Sequence, residues 1–360
     1  MKITLIAGAR PNFMKIAPIL KELDLANQSG QKFEYRLVHT GQHYDDKLSK
    51  IFFEQLEIPD PQINLGSGSG TQAEQTANIM IGFEKELTSN PADLVIVVGD
   101  VTSTLACTIV AKKLNTKVAH IEGGIRSFDM SMPEEINRLV TDSIADYFFT
   151  TSEVANQNLI KSGASKNQIF FVGNTMIDTL KANLSKAIEP PLWDENKLSA
   201  KGYFVLTLHR PSNVDDFTKF SQLMKSISSL ANAKIVFPVH PRTKKNLGKI
   251  DGHLPNVIAT DPLSYLEFLY MLKNAKGVIT DSGGIQEETT VLGIPCITLR
   301  NNTERPETVD IGTNQLIGED VNALKAAIDQ INNNDWKLGH IPALWDGKTA
   351  ARIVAKLANL

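Results

Sequence analysis

Three carboxylates in the first half of the chain lie after predicted strands or at the start of a predicted helix, where acid/base residues are often found. Asp100 comes one glycine after the apolar run 94–98, and Glu122 directly follows the run 118–121. Glu134 follows a proline at the start of a predicted helix. Acids held near one another in a partly dry pocket have their pKa values pushed apart, so one can give a proton while another takes one. We therefore expect these three side chains to divide acid and base work.

Two histidines at predicted strand ends suit a reaction that expels a phosphate. His209 follows the apolar run 203–208 and precedes Arg210, and His240 follows the run 233–238. A phosphate leaving group needs cations or hydrogen-bond donors around it. A lone histidine is more often structural, so the position beside a basic residue at a strand end is what favours function here.

A glycine-rich turn in the second half indicates an anion site. Ser282, Gly283 and Gly284 lie between a predicted strand and a predicted helix, where phosphate oxygens can approach bare backbone N–H groups. Glu287 or Glu288, one turn further on, could accept ribose hydroxyls. The alternative reading is a tight turn capped by the serine.

Basic residues at other strand ends strengthen the anion interpretation. Arg10 with Lys15 follows the first predicted strand, and Arg210 follows the first strand of the second half. Gln42 and His43 lie in another strand-to-helix turn, where capping or ligand contact are both possible.

Composition excludes several classes of partner and site. The 360 residues carry 40 acidic and 37 basic side chains, a net charge of -3, which gives no reason to expect nucleic acid or a membrane surface. No apolar run approaches the roughly 20 residues of a membrane span, and the first residues do not form a signal peptide. Cys107 and Cys296 lie in apolar runs, so neither a disulfide nor a zinc site is expected. We expect a cytoplasmic protein.

Short apolar runs alternate with longer amphipathic stretches, which predicts βαβ units and parallel sheets. A loop-like stretch near residues 187–199 separates two such series. We predict an α/β fold of two Rossmann-like domains facing a central cleft, over 1–175 and 176–345, with a helix in 346–360 packing back on the first domain. Ligands of such sheets bind at the carboxyl ends of the strands. The predicted strands cover 2–7, 35–39, 94–98, 118–121, 147–150, 169–172, 203–208, 233–238, 257–259, 277–280 and 296–299.

Taken together, the motifs resemble the non-hydrolysing UDP-N-acetylglucosamine 2-epimerases, whose architecture is of the glycosyltransferase-B type. They occur in family order along nearly the whole chain. The matching stretches are Gly8-Ala9-Arg10-Pro11 with Lys15, Thr40-Gly41-Gln42-His43, Gly99-Asp100, residues 120–126, residues 133–138, Gly173-Asn174-Thr175, His209-Arg210, Pro238-Val239-His240, residues 281–288 and residues 303–307.

The resemblance implies epimerisation at C2 of UDP-N-acetylglucosamine by elimination of UDP to a 2-acetamidoglucal and re-addition. It implies a homodimer and no metal or redox cofactor. Asp100, Glu122 and Glu134 match the acid/base carboxylates, and His209 matches the histidine at the leaving diphosphate. Gln42 and His43 match a regulatory substrate site of some members. The residues expected to contact UDP are Arg10, Lys15, Arg138, Arg210, His240, Ser282, Gly283, Gly284, Glu288 and Arg305.

Two departures leave the substrate open. The family usually continues the His-Arg pair with Arg-Glu-Asn, whereas this chain has Pro211-Ser212-Asn213, and Asn12 replaces the usual acid after Arg10-Pro11. These features resemble the branch that acts on modified sugars such as UDP-diacetamido-glucuronic acid. A glycosyltransferase of the same architecture and a non-catalytic sugar sensor are the other readings, but three acids argue against both. For Glu135 we expect a structural role, in which its charge interacts favourably with the helix dipole.

Overall fold

The computed structural model divides the chain into two compact units. Unit 1 comprises Met1–Ala182 and Ala343–Leu360, and unit 2 comprises Asn183–Pro342. Each unit contains one parallel sheet with helices, which confirms the predicted class of two parallel-sheet α/β domains. The structure describes residues 1–41, 53–239, 241–250 and 254–360.

Unit 1 is built on seven parallel strands, of which Leu94–Val98 is buried along its whole length. Their bounds are β1 (Lys2–Ala7), β2 (Glu34–His39), β3 (Ile63–Asn64), β4 (Leu94–Val98), β5 (Lys117–Ile121), β6 (Tyr147–Thr150) and β7 (Ile169–Phe171). Their order across the sheet is β3-β2-β1-β4-β5-β6-β7. The order therefore reverses between β1 and β4, which is where open parallel sheets bind their ligands.

The helices of unit 1 connect these strands. They are α1 (Arg10–Gln28), α2 (Gln72–Ser89), α3 (Thr102–Lys113), α4 (Pro133–Ile144), α5 (Glu153–Lys161) and α6 (Thr175–Asn183), with a 3₁₀ turn at Lys166–Gln168. A core of Val95, Val97, Phe83 and Cys107 forms where α2 and α3 cover the sheet. Proline near the start of α1 and α4 fits the first helical turn, whose N–H groups have no partner within the helix.

Unit 2 repeats the plan with six parallel strands. They are β8 (Tyr203–Thr207), β9 (Lys234–Pro238), β10 (Val257–Thr260), β11 (Gly277–Thr280), β12 (Cys296–Thr298) and β13 (Asn314–Leu316), in the order β10-β9-β8-β11-β12-β13. The reversal here lies between β8 and β11. Alternate residues of β8 enter different cores, Phe204 and Leu206 on one face of the sheet and Tyr203 and Val205 on the other.

Eight helices of the described part of unit 2 flank that sheet. They are α7 (Leu192–Glu195), α8 (Pro211–Val214), α9 (Phe217–Leu230), α10 (Pro241–Leu247), α11 (Tyr265–Asn274), α12 (Gly283–Leu292), α13 (Pro306–Asp310) and α14 (Val321–Asn332), with a 3₁₀ turn at Leu184–Lys186. Sequence patterns did not predict β13 or α14. The strand has three residues of which two are polar, so it lacks the apolar run on which strand prediction depends.

The C-terminal segment returns to unit 1 and ends in α15 (Thr349–Leu357), which packs against α1. Trp345 is completely buried and donates from Nε1 to the Thr151 carbonyl at 3.0 Å. The Asp178 carboxylate accepts from the backbone N–H groups of Thr349 at 3.1 Å and Ala350 at 2.7 Å, which satisfies the first turn of α15.

Gly173 permits this return. Its φ is +102°, and a Cβ at this position would lie 2.2 Å from the carbonyl oxygen of Leu344. Only glycine combines that conformation with so close a backbone contact.

In the part of the chain that the structure describes, no helix has the length and apolar character needed to cross a bilayer. Cys107 and Cys296 are both buried and free.

Replacement of Trp345 by alanine should destabilise unit 1. The change removes a fully buried indole and its hydrogen bond, so we expect the free energy of unfolding to fall by about 3–5 kcal/mol. Urea unfolding followed by circular dichroism measures it. Leu338→Ala is the matched control, because that side chain is 93% exposed, and it should change stability by less than about 0.5 kcal/mol. Equal effects of the two changes would contradict a structural role for the returning segment.

Candidate active site

In unit 1, the ends of β1, β4 and β5 bring a lysine and an acid together. Lys15 lies in the second turn of α1, and Glu122 directly follows β5. A Cβ on Gly99, which follows β4, would lie 3.2 Å from Lys15 Nζ and 3.7 Å from Glu122 Oε2. The φ of +67° at Gly99 lets the chain turn there without a side chain in this space.

Lys15 and Glu122 form a buried ion pair. Nζ donates to Oε2 at 2.7 Å, and the two residues are 9% and 3% exposed. Glu122 has a φ of +69°, a conformation that costs about 1–3 kcal/mol for residues other than glycine and that clusters at functional sites. The structure therefore places Lys15, a predicted phosphate contact, beside a predicted catalytic acid.

Asp100 is held by an arginine of α4. Arg138 donates to Asp100 Oδ2 from Nη2 at 2.5 Å and from Nε at 3.1 Å. The side chain of Asp100 remains 28% exposed. Arg138 also donates from Nη1 to Glu135 Oε2 at 2.7 Å.

Glu135 has a structural role that extends beyond an interaction with the helix dipole. It is buried, and it accepts from the backbone N–H groups of Ser127 at 2.9 Å and Phe128 at 3.1 Å. Together with its contact to Arg138, these bonds fasten the loop before α4 to the helix that carries Arg138. The Glu135 carboxylate therefore stabilises the position of Arg138, which in turn binds Asp100.

Glu134 differs from its neighbour. It is exposed in the first turn of α4, and the described residues provide no hydrogen bond or ion pair to its side chain. Of the three predicted acids, it has the greatest freedom to meet a ligand.

A second buried network lies behind Glu122 and was not predicted. Asp142 Oδ1 lies 2.6 Å from His120 Nδ1, and Asp142 Oδ2 accepts from Arg126 Nη1 at 2.6 Å and from the Gly124 N–H at 3.0 Å. His120 Nε2 lies 2.8 Å from the Gly99 carbonyl. Both ring nitrogens thus face acceptors, an arrangement that the imidazolium form satisfies. Burial alone would raise the pKa of Asp142, but His120 and Arg126 outweigh it and hold that pKa below its usual range.

Asn12, one of the departures from the family pattern, connects two strand ends. Its Oδ1 accepts from the N–H groups of Gly8 at 3.2 Å and Ala9 at 3.0 Å, and its Nδ2 donates to the Val98 carbonyl at 3.0 Å. An amide supplies both an acceptor and a donor, which an ionised acid cannot.

In unit 2, the reversal between β8 and β11 carries the pair His209 and Asp281. The Asp281 carboxylate is fully buried, and its Oδ1 lies 2.7 Å from His209 Nδ1. It also accepts from the N–H groups of His209 at 3.1 Å and Arg210 at 3.0 Å, and from Asn213 Nδ2 at 3.0 Å. Burial opposes ionisation of Asp281, but these donors lower its pKa overall. The ring of His209 is 57% exposed.

The glycine-rich turn is open at the start of α12. Ser282 is the N-cap residue, yet its hydroxyl makes no capping hydrogen bond, which removes the main support for the alternative reading of a serine-capped turn. A Cβ on Gly283 would meet only Glu304 Oε2, at 4.0 Å. Backbone N–H groups at this helix start are thus accessible to an anion.

Glu288 lies buried one turn further along α12. Tyr265 donates from its hydroxyl to Oε1 at 3.3 Å. Burial raises the pKa of Glu288 to about 7, and the nearby charge of Glu287 adds to the effect while the Tyr265 bond opposes it.

Arg210 and Arg305, both predicted to contact UDP, bind acids within unit 2. Arg210 Nη2 lies 3.5 Å from Glu304 Oε1, and Arg305 Nε donates to Glu287. Glu304 also accepts from Arg300 at 2.7 and 2.8 Å. Arg305 is buried, so of the two arginines Arg210 is the more accessible to a ligand.

Some predicted residues lie outside the described part of the chain. Gln42, His43 and His240 belong to the undescribed segments, and of Arg10 only the backbone, at the start of α1, is described. Over the described ranges, the structure contains no group of three histidine, cysteine or acidic side chains that could hold a metal ion.

Comparison with known proteins relates this chain to one family. The sequence model of the UDP-N-acetylglucosamine 2-epimerases matches residues 25–358. An enzyme of that name from Methanocaldococcus jannaschii is 41% identical, with 98% of each chain covered. The crystal structure of the M. jannaschii enzyme in complex with UDP-GlcNAc and UDP superposes with a TM-score of 0.88, at 41% identity and with 100% of each chain covered. The UDP-2,3-diacetamido-2,3-dideoxy-D-glucuronate 2-epimerase of Pseudomonas aeruginosa is 36% identical, with 100% of each chain covered.

A double-mutant cycle on Lys15→Met and Glu122→Gln should show strong coupling. Removing one partner leaves a buried charge, so each single change should cost about 3–5 kcal/mol of unfolding free energy, while the double variant recovers about half of the sum. Urea unfolding measures the free energy of unfolding of the wild type, the two single variants and the double variant.

The exposed pair Lys244–Asp261, 2.6 Å apart with side chains 64% and 78% exposed, is the matched control. Its cycle, through Lys244→Met and Asp261→Asn, should give a coupling of less than about 1 kcal/mol. Additive effects at Lys15 and Glu122 would contradict a buried ion pair.

Proposed function

The chain belongs to the UDP-N-acetylglucosamine 2-epimerase family, and we propose that it interconverts UDP-N-acetylglucosamine and UDP-N-acetylmannosamine by inverting C2 of the sugar. The observation that carries this proposal is the acid constellation of unit 1. Asp100 and the strained Glu122 follow adjacent strands at the ligand-binding edge of the sheet, in a chain whose family match extends over residues 25–358.

The acids of unit 1 move the proton at C2. A carboxylate of the set Asp100, Glu122 and Glu134 takes that proton as the C1–O bond breaks, and the electron pair of the former C–H bond forms the C1–C2 double bond. The products of this step are UDP and a 2-acetamidoglucal. A protonated carboxyl group of this set then gives its proton to the opposite face of C2 as the diphosphate oxygen adds back to C1. Asp100 is partly exposed and Glu134 is exposed, which supports contact with a sugar.

The residues of unit 2 hold UDP. The open start of α12, at Ser282, Gly283 and Gly284, offers backbone donors to the diphosphate. His209 supplies a donor to the oxygen that leaves C1, and Glu288 accepts the ribose hydroxyls. Arg10, Arg210 and His240 add positive charge or donors around the phosphates. Arg138, Lys15 and Arg305 support this chemistry through Asp100, Glu122 and Glu287 respectively.

A modified UDP-2-acetamido sugar is the second candidate substrate. The relative from P. aeruginosa carries the name of a diacetamido-glucuronate 2-epimerase, and the departures at Asn12 and at Pro211-Ser212 favour that branch. The reaction at C2 is the same for both substrates, so the acids have the same roles.

We also propose that the protein works in the cytoplasm as a homodimer. Two free, buried cysteines suit a reducing compartment. Phe128, Met130, Ile136 and Leu139 are exposed apolar side chains of α4 and the loop before it, a surface that a second copy could cover.

Incubation with UDP-N-acetylglucosamine in heavy water tests the reaction itself. Because the proton at C2 leaves and a solvent proton replaces it, proton NMR should show loss of the C2 signal and growth of the manno epimer. If this substrate stays unchanged while UDP-2,3-diacetamido-glucuronic acid exchanges at C2, the second candidate replaces the first. Inertness of both, with sugar transfer to an added acceptor, would identify a glycosyltransferase instead.

UDP affinity should depend on the ionisation of Glu288. Its pKa is raised to about 7, so the carboxylate forms as the pH rises from 6 to 8. An ionised acid is the stronger acceptor for ribose hydroxyls, so binding should tighten by about fivefold across this range. Isothermal titration calorimetry at several pH values measures the change.

Glu288→Gln is the control for this effect, because UDP itself also titrates near pH 6. Its affinity should follow only the ionisation of UDP, without the additional tightening. Identical pH profiles of UDP affinity for the wild type and this variant would contradict the assignment of Glu288 to the ribose site.

A further inference from the structure

We propose that Asp281 is a positioning residue that orients the ring of His209 and fixes which of its nitrogens carries the proton. This inference rests on the proposed function, in which His209 acts on the oxygen that leaves C1. Asp281 itself is fully buried and acts through His209.

The contacts of Asp281 divide into two sets. Backbone N–H groups of His209 and Arg210, together with Asn213 Nδ2, hold the carboxylate in place at 3.0–3.2 Å. The remaining contact, from Oδ1 to His209 Nδ1 at 2.7 Å, reaches a side chain that is otherwise 57% exposed. The first set is sufficient to anchor the turn after β8, whereas the last contact orients an exposed ring.

The electrostatics define the tautomer. The pKa of Asp281 is lowered because the donors around it outweigh the effect of burial, so the group stays an ionised acceptor. A neutral imidazole beside it must carry its proton on Nδ1, which leaves Nε2 directed away from Asp281. In the imidazolium form, Nε2–H becomes a donor and the carboxylate stabilises the added positive charge.

That arrangement suits a leaving diphosphate. As the C1–O bond breaks, charge develops on the diphosphate oxygen, and Nε2–H of the imidazolium can donate to it. When the diphosphate adds back, the same proton stays with His209. No group other than the ring and its carboxylate is needed for this step.

Other charges near His209 do not replace Asp281. Arg210, the next residue, donates from Nε to the Asp281 carbonyl at 3.2 Å and approaches Glu304 through Nη2. Glu304 in turn binds Arg300. Among the contacts described for the His209 ring, Asp281 is the acid that meets Nδ1.

Nitrogen-15 NMR of the histidine rings tests the proposal without substrate. At alkaline pH the neutral His209 of the wild type should show a protonated Nδ1 and an unprotonated Nε2, and comparison with His209→Gln assigns the signals. In Asp281→Asn the proton should redistribute to Nε2, the tautomer that model imidazoles prefer. A wild-type His209 with its proton on Nε2 would overturn the proposal, even if Asp281→Asn failed to fold.

Kinetics supply the second readout. Asp281→Asn should lower kcat by about 10²-fold or more, while KM changes by less than about threefold, since the ring loses its orientation but the nucleotide contacts remain. Asn213→Ala is the matched control, because it removes a bond to Asp281 Oδ2 and leaves Oδ1 on Nδ1. It should keep the wild-type tautomer.

These outcomes distinguish the positioning role of Asp281 from the proposed function. Equal losses of kcat in both variants with an unchanged tautomer would assign Asp281 a purely structural role. A wild-type Nδ1–H tautomer in a protein that neither exchanges C2 nor releases UDP would support the positioning role and refute the proposed function.

Discussion

The reversal of strand order in each parallel sheet is the constraint on which the candidate site residues of that unit depend. Helices that leave adjacent strands at this point pass to opposite faces of the sheet, so the strand ends between them stay uncovered. In unit 1 the reversal between β1 and β4 lies beside the pair Lys15–Glu122. In unit 2 the reversal between β8 and β11 is bridged by His209 and Asp281. Each sheet thus places a buried carboxylate at the strand ends, beside residues that a ligand can contact.

Burying these carboxylates would cost several kcal/mol for each ion without compensation. Lys15 compensates Glu122, and Asp281 is surrounded by donors. Hydrogen bonds and ion pairs likewise compensate the buried carboxylates of Asp142 and Glu135 in unit 1. In contrast, the Glu134 side chain and the His209 ring remain accessible to solvent. This division is the expected arrangement of a catalytic site, in which fixed inner charges hold the residues that meet a substrate.

Sequence patterns predicted the fold class and the strand ends because apolar runs and their final residues are local properties. Asp100, Glu122 and His209 were predicted as site residues in this way. Sequence patterns did not predict the contacts of the supporting residues Asp142, Glu135 and Asp281, because tertiary structure determines the partner of each. An acid directly after a strand was a usable signal for Asp281, as it was for Glu122. The short polar strand β13 lacks any such local signal.

The central claim is that the acids of unit 1 perform the proton transfer while unit 2 binds UDP. Parallel measurement of UDP affinity by calorimetry and of C2 deuterium exchange by NMR, in Asp100→Asn and Glu122→Gln, tests it most directly. The account predicts that exchange falls by about 10²-fold or more in each variant, with UDP affinity changed by less than about threefold. Loss of UDP affinity in parallel with exchange, in both variants, would contradict it.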